Sequence, residues 1–234
     1  MAGHPTIGTA FVLCRDGFKN RPHLIFEEGV GPIPVTIEWT RDMPNYVEMR
    51  QPLPLFGATR QDVDQIAEML SVSVDAIRST SLPVQVVSCG VPYLFVPLVD
   101  LRTIRQARLR ADVWEKVVGD LEPKPDTFVF TTEVEFNGSN VHGRMFAPGH
   151  GITEDPATGS ASGPLGCYLV RHHVIASDSE LRCVSEQGIE MGRPSFMKIR
   201  VPPARRHHCR ACGRHLSIHG WRISGYRIAR PLEV

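Results

Sequence analysis

Long apolar runs are missing from this chain of 234 residues. Its most apolar stretch, residues 91–99, holds Pro92 and Pro97 and falls well short of the roughly 20 residues that a bilayer-spanning helix needs. No basic-then-apolar leader opens the chain, and the two absences together predict a soluble protein with no membrane partner and no secretory signal. Cysteine is sparse too. The six, Cys14, Cys89, Cys167, Cys183, Cys209 and Cys212, are scattered through apolar contexts except for the last pair. That pattern argues against a disulfide framework and for reduced thiols in a cytoplasmic setting. Acidic residues are absent between Lys198 and Arg230, where nine of the 26 basic residues fall, so the net charge of +1 hides an acidic body and a basic tail. A hydrophobic content of 42% excludes extensive disorder, and the length suffices for one large domain or two modest ones.

What is present is a repeated phrase. His4-Pro5-Thr6-Ile7-Gly8-Thr9-Ala10 and Asp155-Pro156-Ala157-Thr158-Gly159-Ser160-Ala161 both read polar, Pro, small, any, Gly, hydroxyl, Ala. Each is followed by an apolar stretch that reads as a helix entering a core. Two equivalent helix starts imply two equivalent half-domains. A helix N-terminus carries unpaired N–H groups and partial positive charge, so two of them brought together would receive a small anion.

Strand-like segments are expected at 24–26 and 35–39 as a hairpin, at 84–88 and 93–96, and later at 127–132, 144–146, 182–185 and 196–201. Helical spacing predicts a helix over 60–70 capped by Thr59, another over 102–118, and one from the second phrase to about residue 172. Charge and proline at 120–125 end the helix over 102–118, and the boundary between the halves is placed at this stretch, giving half-domains at 1–100 and 101–203 and a basic tail at 204–234. Pro164 predicts a kink or a first turn that stands apart, and Gly159, Gly163 and Gly166 suggest close packing inside a sheet.

Five segments in order resemble one family: Gly3-His4-Pro5 with Gly8-Thr9-Ala10; Val87-Ser88-Cys89-Gly90-Val91-Pro92; Arg144-Met145-Phe146-Ala147-Pro148; Glu154 through Ala161; and Glu186-Gln187-Gly188-Ile189-Glu190-Met191-Gly192-Arg193-Pro194. They resemble the PhzF-type phenazine-biosynthesis isomerases, relatives of diaminopimelate epimerase, from Met1 to about Val201. The resemblance implies an α+β fold of two similar halves, each a curved mixed sheet around a central helix, with the active site between them. It implies a homodimer and a proton shift on a small carboxylate-bearing substrate, with no cofactor and no metal. Asp155 and His4 would then be the acid/base groups at the two helix starts, with Ser160 beside them. Gly3, Gly159 and Thr158 would meet the substrate. Proton abstraction next to a conjugated acid needs a base in reach and donors for the developing charge, which such a set supplies.

Plainer roles fit the same residues. Asp155 suits a helix cap before a proline, His4 a surface position, and Ser160 a core hydroxyl. The glycine-serine run is no hydrolase elbow, because its central residue is Ala161. The family's main general base, a glutamate, precedes the Gly-His-Pro motif, so the resemblance implies a first half that is N-terminally truncated. An isomerase and an inactive carboxylate-binding relative therefore both stay open. Glu154 offers a substitute carboxylate that would have to point the other way. In the tail, Cys209 and Cys212 with His215 or His219 have half a zinc site's spacing, but too few residues separate the pairs for a zinc finger. Nucleic acid is not expected as a partner, since no aromatic interleaving accompanies the tail's charge.

Overall fold

The computed structural model of the protein describes residues 3–176 and 179–203. The tail, with Cys209, Cys212, His215 and His219, lies outside the described residues. Two sheets organise the rest. The smaller is a three-stranded antiparallel meander of β1 (His23–Glu28), β2 (Gly31–Thr40) and β3 (Met43–Met49). Alternation along β2 turns Ile33, Val35 and Ile37 inward, where they meet Ala10 and Cys14 of α1 (Gly3–Asp16). The hairpin expected over 24–39 is therefore present, with Gly31 at φ +105° opening its second strand.

The larger sheet has eight strands. In chain order these are β4 (Leu55–Arg60), β5 (Val84–Ser88), β6 (Pro92–Pro97), β7 (Asp126–Thr131), β8 (Val141–Ala147), β9 (Ile152–Asp155), β10 (Leu181–Gln187) and β11 (Ser195–Val201). They line up as β11-β10-β8-β7-β6-β5-β4, with β9 on β8. The sheet is mixed: β6 with β7 and β8 with β10 are parallel, the other pairs antiparallel. One face packs on α6 (Gly159–Arg171), burying Ala161, Leu165, Tyr168 and Leu169 against Phe95, Phe128 and Phe130. The other face packs on α2 (Val63–Leu70), α3 (Asp75–Arg78), α4 (Leu101–Gln106) and α5 (Ala111–Val118). β7 and β8, covered on both sides, are buried along their whole length, as central strands between helical layers must be.

The sheets divide the chain at residues 50–54, not near residue 100. The reason is the parallel pairing of β6 with β7, from Tyr93↔Asp126 to Pro97↔Phe130, which places β4, β5 and β6 in the larger sheet. A parallel pair needs a long crossover, and α4 and α5 supply it. The helix expected over 102–118 is consequently two. Between them Arg108 and Arg110 donate their N–H groups to Leu70 O and Met69 O, at 2.9 and 2.8 Å, satisfying carbonyls at the end of α2. Thr59 lies in β4, and Asp62 stands at the start of α2 with its carboxylate on Arg60 rather than on the helix amides. The helix of α6 continues through Pro164 without a break.

Candidate active site

The first turns of α1 and α6 touch. A Cβ placed on Gly3 would stand 2.6 Å from Ser160 N and 2.7 Å from the Gly159 carbonyl carbon, so the absence of a side chain is what lets the two tips meet. Each tip brings N–H groups that have no partner within its helix and the positive end of a helix dipole. Gln51, only 3% exposed, ties the tip of α6 to the segment after β3 by donating Nε2 to Gly159 O at 3.0 Å.

The repeat is real as a pair of helix starts but shifted in register. Gly3 opposes Gly159–Ser160, which makes His4 the positional counterpart of Ser160 rather than of Asp155. In the first phrase the helix already includes His4 and Pro5, whereas in the second it begins four residues after Asp155. Matching residue types in the two phrases therefore hid different backbone positions. His4 lies in the first turn of α1, and its side chain is outside the described residues.

Asp155 ends β9, opposite Met145 of β8, and so shares the sheet face that packs on α6. It is not the cap of that helix; Thr158 precedes Gly159 instead. Thr158 Oγ1 donates to Asp155 Oδ2 at 2.6 Å, while the Thr158 amide donates to Gln187 Oε1 at 3.2 Å. Gln187 in turn donates Nε2 to Thr158 Oγ1 at 2.9 Å and to the Asp155 carbonyl at 2.5 Å. Thr158 was expected to meet substrate. It is buried at 4% exposure with hydroxyl and amide both engaged, and it holds Asp155.

Ser160 Oγ lies 2.6 Å from the hydroxyl of Tyr93, which is 2% exposed. Tyr93 pairs with Asp126 across β6 and β7, and Asp126 has the same parity as Phe128 and Phe130, so it too faces α6. Burial pushes the Asp126 carboxyl above the usual carboxylate range; His150, with Nε2 3.7 Å from Oδ2, opposes this and the charge of Asp155 adds to it. Burial likewise raises the Tyr93 phenol, with the charges of Asp126 and Asp155 pushing the same way. Two carboxylates, a phenol and a serine thus converge on two helix tips.

A family model described as phenazine biosynthesis-like protein matches residues 1–220. The chain belongs to this family. It is 33% identical over 205 residues to the trans-2,3-dihydro-3-hydroxyanthranilate isomerase of Pseudomonas aeruginosa, covering 87% of this chain and 66% of that enzyme. The chain thus spans just under two thirds of the length of that curated relative. Among solved structures, a PhzF-family phenazine biosynthesis protein from Bacillus anthracis superposes with a TM-score of 0.77 at 26% identity, over 86% of this chain and 68% of that one. A hydroxyproline epimerase from Agrobacterium vitis superposes with a TM-score of 0.55 at 10% identity, over 92% and 60%, and shares the fold alone. The α+β architecture of sheets wrapped on central helices is accordingly the diaminopimelate epimerase-like fold expected.

The other motifs of this family member build the back of the site. Arg144, on the opposite face of β8, grips Glu154 through two bonds of 2.8 and 2.7 Å and donates Nη1 to the carbonyls of Ile104 and Ala107. Glu154 does point away from Asp155, and with both oxygens held by Arg144 it is no substitute base. Beside it His142, fully buried, lies 2.8 Å from Glu186 and 2.9 Å from Glu190. Burial alone would lower the His142 pKa, but the bonds to the two glutamates outweigh it and the net shift is upward. Burial would raise Glu190, and the His142 bond turns that into a net fall.

Sequence reading missed Tyr93, Asp126, Gln187 and Gln51. Tyr93 directly follows the Val87–Pro92 motif and Gln187 lies inside the Glu186–Pro194 motif, so both were within reach. Asp126 and Gln51 carried no local signal, because strand pairing and the meeting of the helix tips bring them in. The described cysteines, Cys14, Cys89, Cys167 and Cys183, are free and buried. Among the described residues no helix is long and apolar enough to cross a membrane, and no group of three or more His, Cys, Asp or Glu is placed to hold a metal ion.

Proposed function

We propose that the crevice at the meeting tips of α1 and α6 is the active site of a cofactor-free isomerase that shifts a proton within a small carboxylate-bearing substrate. The observation that carries this reading is the contact of Gly3 with Gly159 and Ser160 beside the held carboxylate of Asp155. In it, the amides of Gly3, Gly159 and Ser160 and the Ser160 hydroxyl receive the substrate carboxylate. Asp155 and His4 are the proton-handling pair. A proton leaves the carbon next to the conjugated acid and returns at another position of the same molecule, so electrons and atoms balance without a redox partner. Family resemblance supports a homodimer in the cytoplasm.

The relative's substrate gives a direct assay. Incubating the protein with trans-2,3-dihydro-3-hydroxyanthranilate in D2O is expected to yield the isomer, followed by NMR, with deuterium at carbon where solvent exchanges. Asp155→Asn should fold normally by circular dichroism and lose turnover by orders of magnitude; unchanged turnover removes Asp155 from the mechanism. Binding of the compound with neither isomer nor label would instead support the inactive carboxylate-binding reading.

A further inference from the structure

The Glu186–Pro194 motif has no task in the proposed chemistry, yet its residues converge on Asp155. Gly188 has φ +75°, and a Cβ there would stand 2.6 Å from Pro156 O and 2.5 Å from Arg193 O. The turn therefore lies directly against the Asp155–Pro156 backbone, closed by Arg193 N donating to Gly188 O at 2.9 Å. Its far side is fixed by His142 between Glu186 and Glu190. Gln187, with no exposed surface, is consequently rigid and spends both ends of its amide on the neighbouring loop.

A threonine hydroxyl has one proton and a pair of acceptor sites. Because Gln187 Nε2 occupies one acceptor site of Thr158 Oγ1, the hydroxyl proton is directed to Asp155 Oδ2. Among the described residues no donor reaches Oδ1, so that oxygen is the one left without a partner. We propose that Gln187 is a positioning residue for the reaction: acting through Thr158, it fixes which oxygen of Asp155 is presented to substrate. The proposal rests on the assignment of Asp155 made above.

Four variants test it in the intact protein with trans-2,3-dihydro-3-hydroxyanthranilate. Gln187→Met removes the donor, and kcat should fall on the order of 100-fold with little change in KM, as for a reacting group displaced by about an ångström. Thr158→Val should match it, while Thr158→Ser, which keeps the hydroxyl, should retain most activity. Gln187→Glu keeps the shape and reverses the hydrogen-bond sense, because an ionised carboxylate only accepts. Its kcat should recover as pH falls and the new carboxyl regains a donating proton, a profile that loss of packing cannot produce. Undiminished kcat in Gln187→Met, or Gln187→Glu with no recovery in acid, overturns the proposal. Should the unmodified protein not turn the compound over, the functional reading fails first. Crystal structures then decide: Asp155 keeping its orientation in Gln187→Met and Thr158→Val refutes the positioning role, and a rotated carboxylate upholds it.

Discussion

At Gly3 a single methyl group would be felt at the candidate site itself. Its neighbours are backbone atoms of Ser160 and Gly159, with no flexible side chain that could swing aside. Gly3→Ala must therefore part the two helix tips, while the cores around Ala10 and around Leu165 stay intact. The expected outcome is a kcat/KM lowered by about 100-fold, by the same misplacement rule, with a melting temperature close to the parent's in a thermal scan. Gly3, Gly159 and Ser160, which meet at the helix tips, and Asp155 beside them sit in contiguous motifs that a local reading can single out. Thr158 lies in the expected loop, but its burial and its bond to Gln187 could not be read locally, because they depend on a strand about thirty positions away. Asp126 and Gln51 were invisible for a related reason, since nothing adjacent to them in sequence announces the helix tip they approach.

Elements with one strong apolar period were read correctly, and those sustained by tertiary pairing were not. The helix of α6 and strands β7, β10 and β11 matched expectation within a few residues. By contrast β9 is four residues long, half exposed, and owes its conformation to β8 and to the grip of Arg144 on Glu154. That grip also reaches the carbonyls of Ile104 and Ala107, so one guanidinium joins β8, β9 and the crossover helices. Replacing Arg144 with Ala leaves the carboxylate of Glu154 buried without its partner, and urea unfolding should show a loss of about 3–5 kcal/mol. The double change Arg144→Met with Glu154→Met should recover much of that loss, since it removes both charges together.

For the whole molecule the sequence conveyed the two-sheet plan and misplaced the division between its parts. Residues 120–125 have the composition of a linker but are a loop of the larger sheet, and only the parallel pairing of β6 with β7 reveals it. The charged network on the back of that sheet sets a pH dependence for global stability. His142 is raised above its ordinary 6.5, so its contribution is complete below pH 6.5 and fades as pH climbs through the folded-state value. Glu190 is lowered from its ordinary 4.5, so its contribution is present above pH 4.5 and lost as pH falls through the folded-state value. Stability by urea titration should therefore be best between these limits and decline on the alkaline side. A His142→Gln variant should lack the alkaline decline; an identical decline would remove His142 as its source.

The segment 50–54 joins the two sheets, and within it Gln51 reaches Gly159 across 108 positions of chain. The smaller sheet has one hydrophobic cluster and the larger has one on each face, and the crevice lies between the helices of the two. Its assembly is thus a long-range closure, since residues 108 positions apart must be gathered before the tips can meet. Parting α1 from α6 would accordingly undo the crevice while leaving every strand in place.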